Sequence, residues 1–217
     1  MNGQIRAAAS AIVGRDGQDG LEVLVLERGA ASRFLPGYVA FPGGATDTSD
    51  DARAVRWFGS AGEARRACAV RELVEEVALV LTSTGLAAGS TLEVEEALAM
   101  VDAAPPSADQ LSEIAHWIAP TDVPVRFDAR FFAVRASNGL VPRPDGSETA
   151  DAWWIAPERL LAEWRGGRRL LFWPTFFTVS EIARCASVDD LLSTRIDTRE
   201  PDPDELERLP RSIFWQD

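Results

Sequence analysis

Residues 63–81 read EARRACAVRELVEEVALVL. Ala67, Val70, Val74, Val77 and Leu81 recur at spacings of three and four, which gives one apolar stripe and predicts a helix over Glu63–Leu81. Inside it, Glu72, Glu75 and Glu76 stand at i, i+3 and i+4, so their carboxylates share a face. Like charges that close raise one another's pKa, and a divalent cation offsets the repulsion. Taken alone, such a run also reads as a solvated acidic helix face. Upstream, the short strand Tyr38–Phe41 breaks into Pro42-Gly43-Gly44. Glycines there let the backbone approach an ion or a phosphate closely.

Composition narrows the chemistry. All 22 cationic side chains of the 217 residues are Arg; there is one His (His116) and two Cys (Cys68 and Cys185). Without Lys there is no Schiff base, Ser-Lys dyad or P-loop lysine. One His and two distant Cys cannot build a Cys/His zinc site. A metal must therefore be held mainly by oxygen, which favours Mg²⁺, Mn²⁺ or Ca²⁺. The net charge of −12 makes the chain a poor binder of nucleic acid or of an anionic membrane. No stretch reads as a signal peptide or a membrane span, and the Cys usage suits a reducing compartment, so a cytoplasmic protein is expected.

Outward from the acidic helix, Ile5–Val13 and Leu21–Leu26 read as strands of a hairpin around the turn-rich Gly14–Gly20. Residues 45–62 read as a long loop carrying Trp57 and Phe58. Helices are expected over Leu92–Met100, Ala108–Ile118, Pro157–Trp164 and Pro174–Ala186. Strands are expected over Phe127–Val134 and Ala152–Ile155, and an Asp/Pro/Glu-rich tail begins at Thr198. Strands mixed with helices in this order suggest α/β or α+β layers around one core.

The interval Glu63-x7-Arg71-Glu72-Leu73-x-Glu75-Glu76-x-x-Leu79 resembles the second half of the box of the Nudix hydrolases, G-x5-E-x7-R-E-U-x-E-E-x-G-U, where U is a bulky aliphatic residue. Ala78 stands where the final Gly is expected, which requires only that this backbone not need a positive φ. The first Gly would be Gly44, with 18 residues rather than five before Glu63, an insertion of 13. FPGGATDTSDD, the long insert, CAVRELVEE, APTDVPVRFDARFF and a later D-x-x-E before a Trp strand are similar to the coenzyme A diphosphatase-like branch of mammalian peroxisomal type. This likeness runs from about Arg6 to about Ala183, although the sequence ends Trp215-Gln216-Asp217 rather than on a peroxisomal tripeptide.

The resemblance implies a Nudix-type α/β/α sandwich with a mixed curved sheet. It implies one domain over 1–217, with an insertion at about 45–62 and a C-terminal extension from about 187. The implied activity is metal-dependent hydrolysis of the diphosphate in a nucleoside diphosphate linked to another moiety. Coenzyme A or acyl-CoA is the favoured substrate; ADP-ribose, NADH or a nucleoside-sugar diphosphate are the alternatives. A regulatory module that binds a nucleotide without turning it over is the reading of another class, and the intact Glu72, Glu75 and Glu76 argue against it. Homodimers are frequent among similar proteins, so a homodimer is the expected assembly.

By the same resemblance, Glu72, Glu75 and Glu76 ligate Mg²⁺ or Mn²⁺, with the Gly43 carbonyl contributing, and Gly44 lies against substrate. Arg71 orients the acidic groups; Glu63 is a candidate partner for it, or else an acid favoured at the helix N-terminus. Glu148, in the loop before Trp153-Trp154, is the candidate for a further ligand or the general base. Arg126 and Arg130 are candidate phosphate donors, or else strand-surface ion pairs. Asp47, Asp50 and Asp51 read as exposed capping or loop acids. His116 and Cys68 read as structural. Phe172, Trp173, Phe176 and Phe177 suit a core or a dimer contact, or, like Trp57-Phe58, a base platform.

Overall fold

The computed structural model describes residues 5–32, 34–89, 91–119 and 126–197. Residues 120–125 of the family-like stretch and the tail from Thr198 lie outside them. The chain opens with the expected hairpin, β1 (Ile5–Gly17) and β2 (Gly20–Arg28), whose strands pair through most of the stretch expected as a turn. Next come the short strands β3 (Tyr38–Ala40) and β4 (Gly43–Ala45). Strand β7 (Ser112–Ile118) lies beside β8 (Arg126–Arg135), β9 (Thr149–Ile155) pairs with β2, and β10 (Leu170–Leu171) pairs with β3.

The strand order is β10-β3-β2-β1-β8-β7, with β4 on β1 and β9 on β2. The sheet is mixed: β1 with β8 and β3 with β10 run parallel, and the other pairs are antiparallel. A separate hairpin joins β5 (Leu79–Thr82) to β6 (Gly85–Ala88).

Alternation along the strands divides the core into two layers. Ala9, Ala11, Val13, Leu24, Leu26, Phe132 and Val134 face one side, where α1 (Thr48–Phe58), α2 (Ala64–Val77) and α3 (Val94–Ala103) pack. Ile12, Val23, Val25, Phe131 and Ala133 face the other, against α4 (Pro157–Arg165), α5 (Trp173–Ile182) and α6 (Val188–Ser193). This is the α/β/α sandwich expected. Val188 and Leu191 of α6 are fully buried in the second layer, so the start of the expected C-terminal extension is part of the core.

Four expectations change. The helix expected over Glu63–Leu81 ends at Val77, and Leu79–Thr82 is a strand. Its apolar stripe holds as far as Val77, and beyond it consecutive buried residues pair with β6. Ala78, at the end of α2, has φ 52° and ψ 43°, the left-handed conformation that favours glycine, so the backbone does require a positive φ there. Ala108–Ile118 is not a helix but a short 3₁₀ turn (Ala108–Gln110) followed by β7; non-local pairing with β8 overrides the local pattern.

Residues 45–62 are not a loop but mostly α1. Asp47 caps its start, accepting from the Ser49 and Asp50 amides, and Gly59 ends it at φ 76°. Trp57 is buried against the first layer and donates Nε1–H to Asp102 of α3 at 2.7 Å. This part of the chain is therefore a helix docked on the sandwich.

Candidate active site

Helix α2 brings its acidic face to the β4 strand. Glu72 and Glu76, one turn apart, are both buried, and Glu75 is more exposed. The Gly43 amide donates to Glu76 Oε2 at 2.8 Å. In the structure, then, Gly43 meets the acidic face through its N–H. A Cβ at Gly44 would collide with the Glu72 carboxylate, and one at Gly43 with Ser10 and the Ala9 carbonyl. The glycine pair is needed for close approach, not for a special φ.

Arg71 organises this face. Its Nη1 donates to Glu72 Oε1 (2.8 Å) and Glu75 Oε2 (2.6 Å). Its Nε and Nη2 donate to Asp50 Oδ1 and Oδ2, each at 3.0 Å, and Nη2 also reaches the Ala45 carbonyl. Burial would lower the Arg71 pKa, but the Asp50 hydrogen bonds and the charge of Glu72 raise it, so the guanidinium stays charged.

The candidate partner of Arg71, Glu63, pairs with Arg66 instead. Asp50, expected to be an exposed capping or loop acid, is fully buried. Asp47 and Asp51 are exposed or partly so, with Asp47 in the capping role. Five residues separate Gly44 from Asp50, the same spacing that the box gives its first acid. Twenty residues then stand between Asp50 and Arg71, where the box has seven. The spacing was visible in the sequence; the Asp in place of Glu concealed it.

A cavity of about 420 Å³ opens beside the carboxylates. Glu72, Glu76, Gly43, Gly44, Glu148 and Arg28 line one part of it. Pairing of β2 with β9 sets Arg28 opposite Thr149, at a register shift between Glu27 and Arg28, and this places Arg28 and Glu148 together. The Gly29 amide holds the Glu148 carbonyl at 2.8 Å, and the Glu148 residue is exposed. Phe34, Phe127, Phe172 and Trp173, with Arg6, also line it.

Arg126 and Arg130 are not brought to the cavity. The odd residues of β8, Phe127, Ala129 and Phe131, line it. Arg126 donates to the Ala119 carbonyl, and Arg130 pairs with Glu113. Among the described residues, Arg6 and Arg28 are the cations that line the cavity, and sequence reading singled out neither. Of the aromatic candidates, Phe172 and Trp173 reach the cavity; Phe176 and Phe177 pack in the second layer, and Trp57 and Phe58 in or against the first. His116 pairs with Asp128, which Arg65 also grips through two nitrogens. Cys68 is buried beneath Gly44 and Arg71, and burial drives its thiol pKa up, so it is inert.

The carboxylates suit a hard cation in their chemistry. Burial, then the neighbouring acids, pushes Glu72 up to about 7 and Glu76 up to about 8, despite the opposing pull of Arg71 on the first and Arg28 on the second. A divalent cation would favour the ionised forms of both. Among the described residues, no three His, Cys, Asp or Glu side chains converge closely enough to hold an ion as they stand. Arg71 holds Glu72 Oε1 and Glu75 Oε2, so ligation by these two glutamates would fall to the other oxygen of each. Also among the described residues, no helix is long and apolar enough to cross a membrane.

Comparison with known proteins agrees with this geometry. The family model of the NUDIX domain matches residues 4–173. A putative nudix hydrolase 7 from Caenorhabditis elegans is 28% identical over 183 residues, which cover 77% of this chain and 57% of that protein. The chain thus spans little more than half the length of this curated relative. The crystal structure of a NUDIX hydrolase from Alicyclobacillus acidocaldarius matches with a TM-score of 0.76 at 32% identity, over 89% of this chain and 97% of that one. With the box residues of α2 gathered at the cavity and the domain model covering most of the sequence, the chain belongs to the Nudix hydrolase family.

Proposed function

We propose that the chain hydrolyses the diphosphate of a nucleoside diphosphate linked to another moiety, with coenzyme A or an acyl-CoA as the favoured substrate. Nudix hydrolases act generally on nucleoside diphosphate derivatives and generally use divalent metal ions. The observation that carries the reading is the meeting of two kinds of lining in one cavity. The first is the charged set of buried Glu72 and Glu76 with Glu148 and Arg28; the second is the aromatic set of Phe34, Phe127, Phe172 and Trp173. A diphosphate needs the first; a base or an apolar arm suits the second.

Glu72, Glu75 and Glu76 would hold Mg²⁺ or Mn²⁺, with the Gly43 carbonyl as a further donor. Such an ion, when bound, neutralises the diphosphate and acidifies an attacking water. Arg71 orients Glu72 and Glu75 through its shared Nη1, and Asp50 fixes Arg71. Arg28 donates to the diphosphate oxygens, a role expected of Arg126 and Arg130 from the sequence. The Glu148 carboxylate accepts the proton of the water as it attacks phosphorus.

The test is a panel of CoA, acetyl-CoA, ADP-ribose, NADH and dinucleoside polyphosphates, assayed with Mg²⁺ and with EDTA. CoA or acetyl-CoA should lead in kcat/KM, and EDTA should abolish turnover. Glu75→Gln and Glu76→Gln should each lower turnover by orders of magnitude. Activity in EDTA, or in both variants, would sink the mechanism; ADP-ribose well ahead of CoA would sink the substrate.

A further inference from the structure

We infer that the aromatic part of the cavity is a nucleoside site in which Arg6 selects substrates bearing a phosphate on the nucleoside in addition to the diphosphate. The inference rests on the reading of the cavity as a nucleotide site and names its specificity element.

Three rings build the wall. Phe34 meets Phe127 at 5.6 Å and 64°, and Phe172 at 5.7 Å and 90°, both edge to face. Rings locked this way present π faces and edges to a planar heterocycle. The sheet beneath is lined by small side chains: Ala8 and Ala129 are register partners on β1 and β8, and both line the cavity. A flat floor under an aromatic wall suits a base better than a branched group.

The wall is held in place. Phe34 lies in the β2–β3 connection, where the next residue, Leu35, has φ 51°. A left-handed Leu is strained, and the surrounding hydrogen bonds must hold it. The buried Ser32 hydroxyl donates to the Phe34 carbonyl at 3.0 Å and accepts from Arg28 Nη1 at 3.4 Å. One hydroxyl therefore ties the arginine beside the carboxylates to the loop that carries the ring.

Arg6 is the cation of this end. It is the register partner of Phe127 across β1 and β8, and its guanidinium lies 5.8 Å from that ring's centroid. It has no carboxylate partner among the described residues, whereas Arg65, Arg66, Arg71 and Arg130 around the same strands are all ion-paired. A guanidinium left without a counter-ion on a cavity wall in a chain of net charge −12 is available to an anion. The Arg28 charge acts on Glu76 of the acidic face, whereas Arg6 lies beside the Phe127 ring, so an anion held at Arg6 would be a second one, on the nucleoside.

The test is binding of reaction fragments to the full chain, followed by calorimetry and by the fluorescence of cavity-lining Trp173. 3′,5′-ADP should bind about tenfold more tightly than 5′-AMP to the wild type, the size of one charge-assisted contact. Arg6→Gln should bring that ratio to about one. Phe34→Ala should weaken both ligands, and Phe34→Leu, which keeps the apolar volume without the ring, should do so as well with folding retained. Equal affinity in the wild type, a preference that persists in Arg6→Gln, or binding of neither nucleotide would overturn the inference. Because nothing here depends on turnover, a chain with the preference but no diphosphatase activity would sink the proposed function alone.

Discussion

Asp50 and Arg71 lie 21 residues apart in sequence and meet in a buried, two-pronged ion pair, Nε to Oδ1 and Nη2 to Oδ2, both 3.0 Å. The pair ties the first turn of α1 to α2, the helix that carries the acidic face. Its other guanidinium nitrogen is the one shared by Glu72 and Glu75. Asp50 is therefore a positioning residue that acts through Arg71. Removing one partner of a buried pair leaves the other charge uncompensated, at a cost of about 3 kcal/mol or more.

Asp50→Ala should accordingly lose about that much stability and also lower kcat, because Arg71 is freed to turn. Asp50→Glu, one methylene longer, should recover part of the kcat. The contrast is Glu63→Gln, which loses only a partly exposed pair with Arg66 and should cost under about 1 kcal/mol. Urea melts and steady-state kinetics on the three variants decide the matter. Equal losses for Glu63→Gln and Asp50→Ala would overturn the assignment.

Ala78 carries a side chain where the backbone is left-handed. Its amide donates to the Val74 carbonyl at 3.2 Å, so the chain end of α2 is closed in spite of the strain. Replacing Ala78 with Gly should relieve it and stabilise the protein by about 1 kcal/mol. For a chain of this length that is a rise in Tm of about 2–4 °C. The urea midpoint should rise with an unchanged slope; a lower midpoint would show that the Ala methyl is worth more in packing than the strain costs.

What the sequence disclosed was local. Glu72, Glu75 and Glu76 sit within two turns of one helix, so their spacing alone set them on one face. The register of distant strands was not local. Whether the odd or the even residues of β8 face the cavity depends on its pairing with β1, so Arg126 and Arg130 stood out while Phe127 did not. Arg28 reaches the site beside a register shift between two strands more than 100 residues apart in sequence, which no local pattern announces. Strand β7 was read as a helix for the same reason: its partner lies across the chain segment 119–125. The Asp50 pairing was partly legible through its distance from Gly44.

The acidic face predicts a pH dependence that metal reverses. Glu72 and Glu76 are raised to about 7 and about 8 by burial, so the folded chain binds more protons than the unfolded chain above about pH 4.5, the ordinary value for a glutamate. Their contribution to stability is then fully present below about pH 4.5 and is lost as pH rises through 8. In EDTA the protein should be measurably less stable at pH 8.5 than at pH 5.5. Glu76→Gln should flatten that fall and melt later than wild type at pH 8.5. Mg²⁺ should restore the wild type at pH 8.5 and do much less for the variant, since a ligand is lost. Identical pH profiles for wild type and variant in EDTA would contradict the account.

Glu148 offers the cleanest separation of chemistry from structure. The residue is exposed on the cavity rim, while its backbone is fixed independently: the amide donates to Asp145 Oδ2 and the carbonyl accepts from the Gly29 amide. A change at the carboxylate leaves both of these bonds in place. Glu148→Gln should thus fold with wild-type Tm and bind 3′,5′-ADP normally. As the acceptor of the water's proton is lost, however, kcat should fall by a factor of about 10²–10⁴. A Glu148→Gln enzyme with wild-type kcat would place the proton acceptor elsewhere on the carboxylate face, with Glu72 and Glu76 next in line by burial and position.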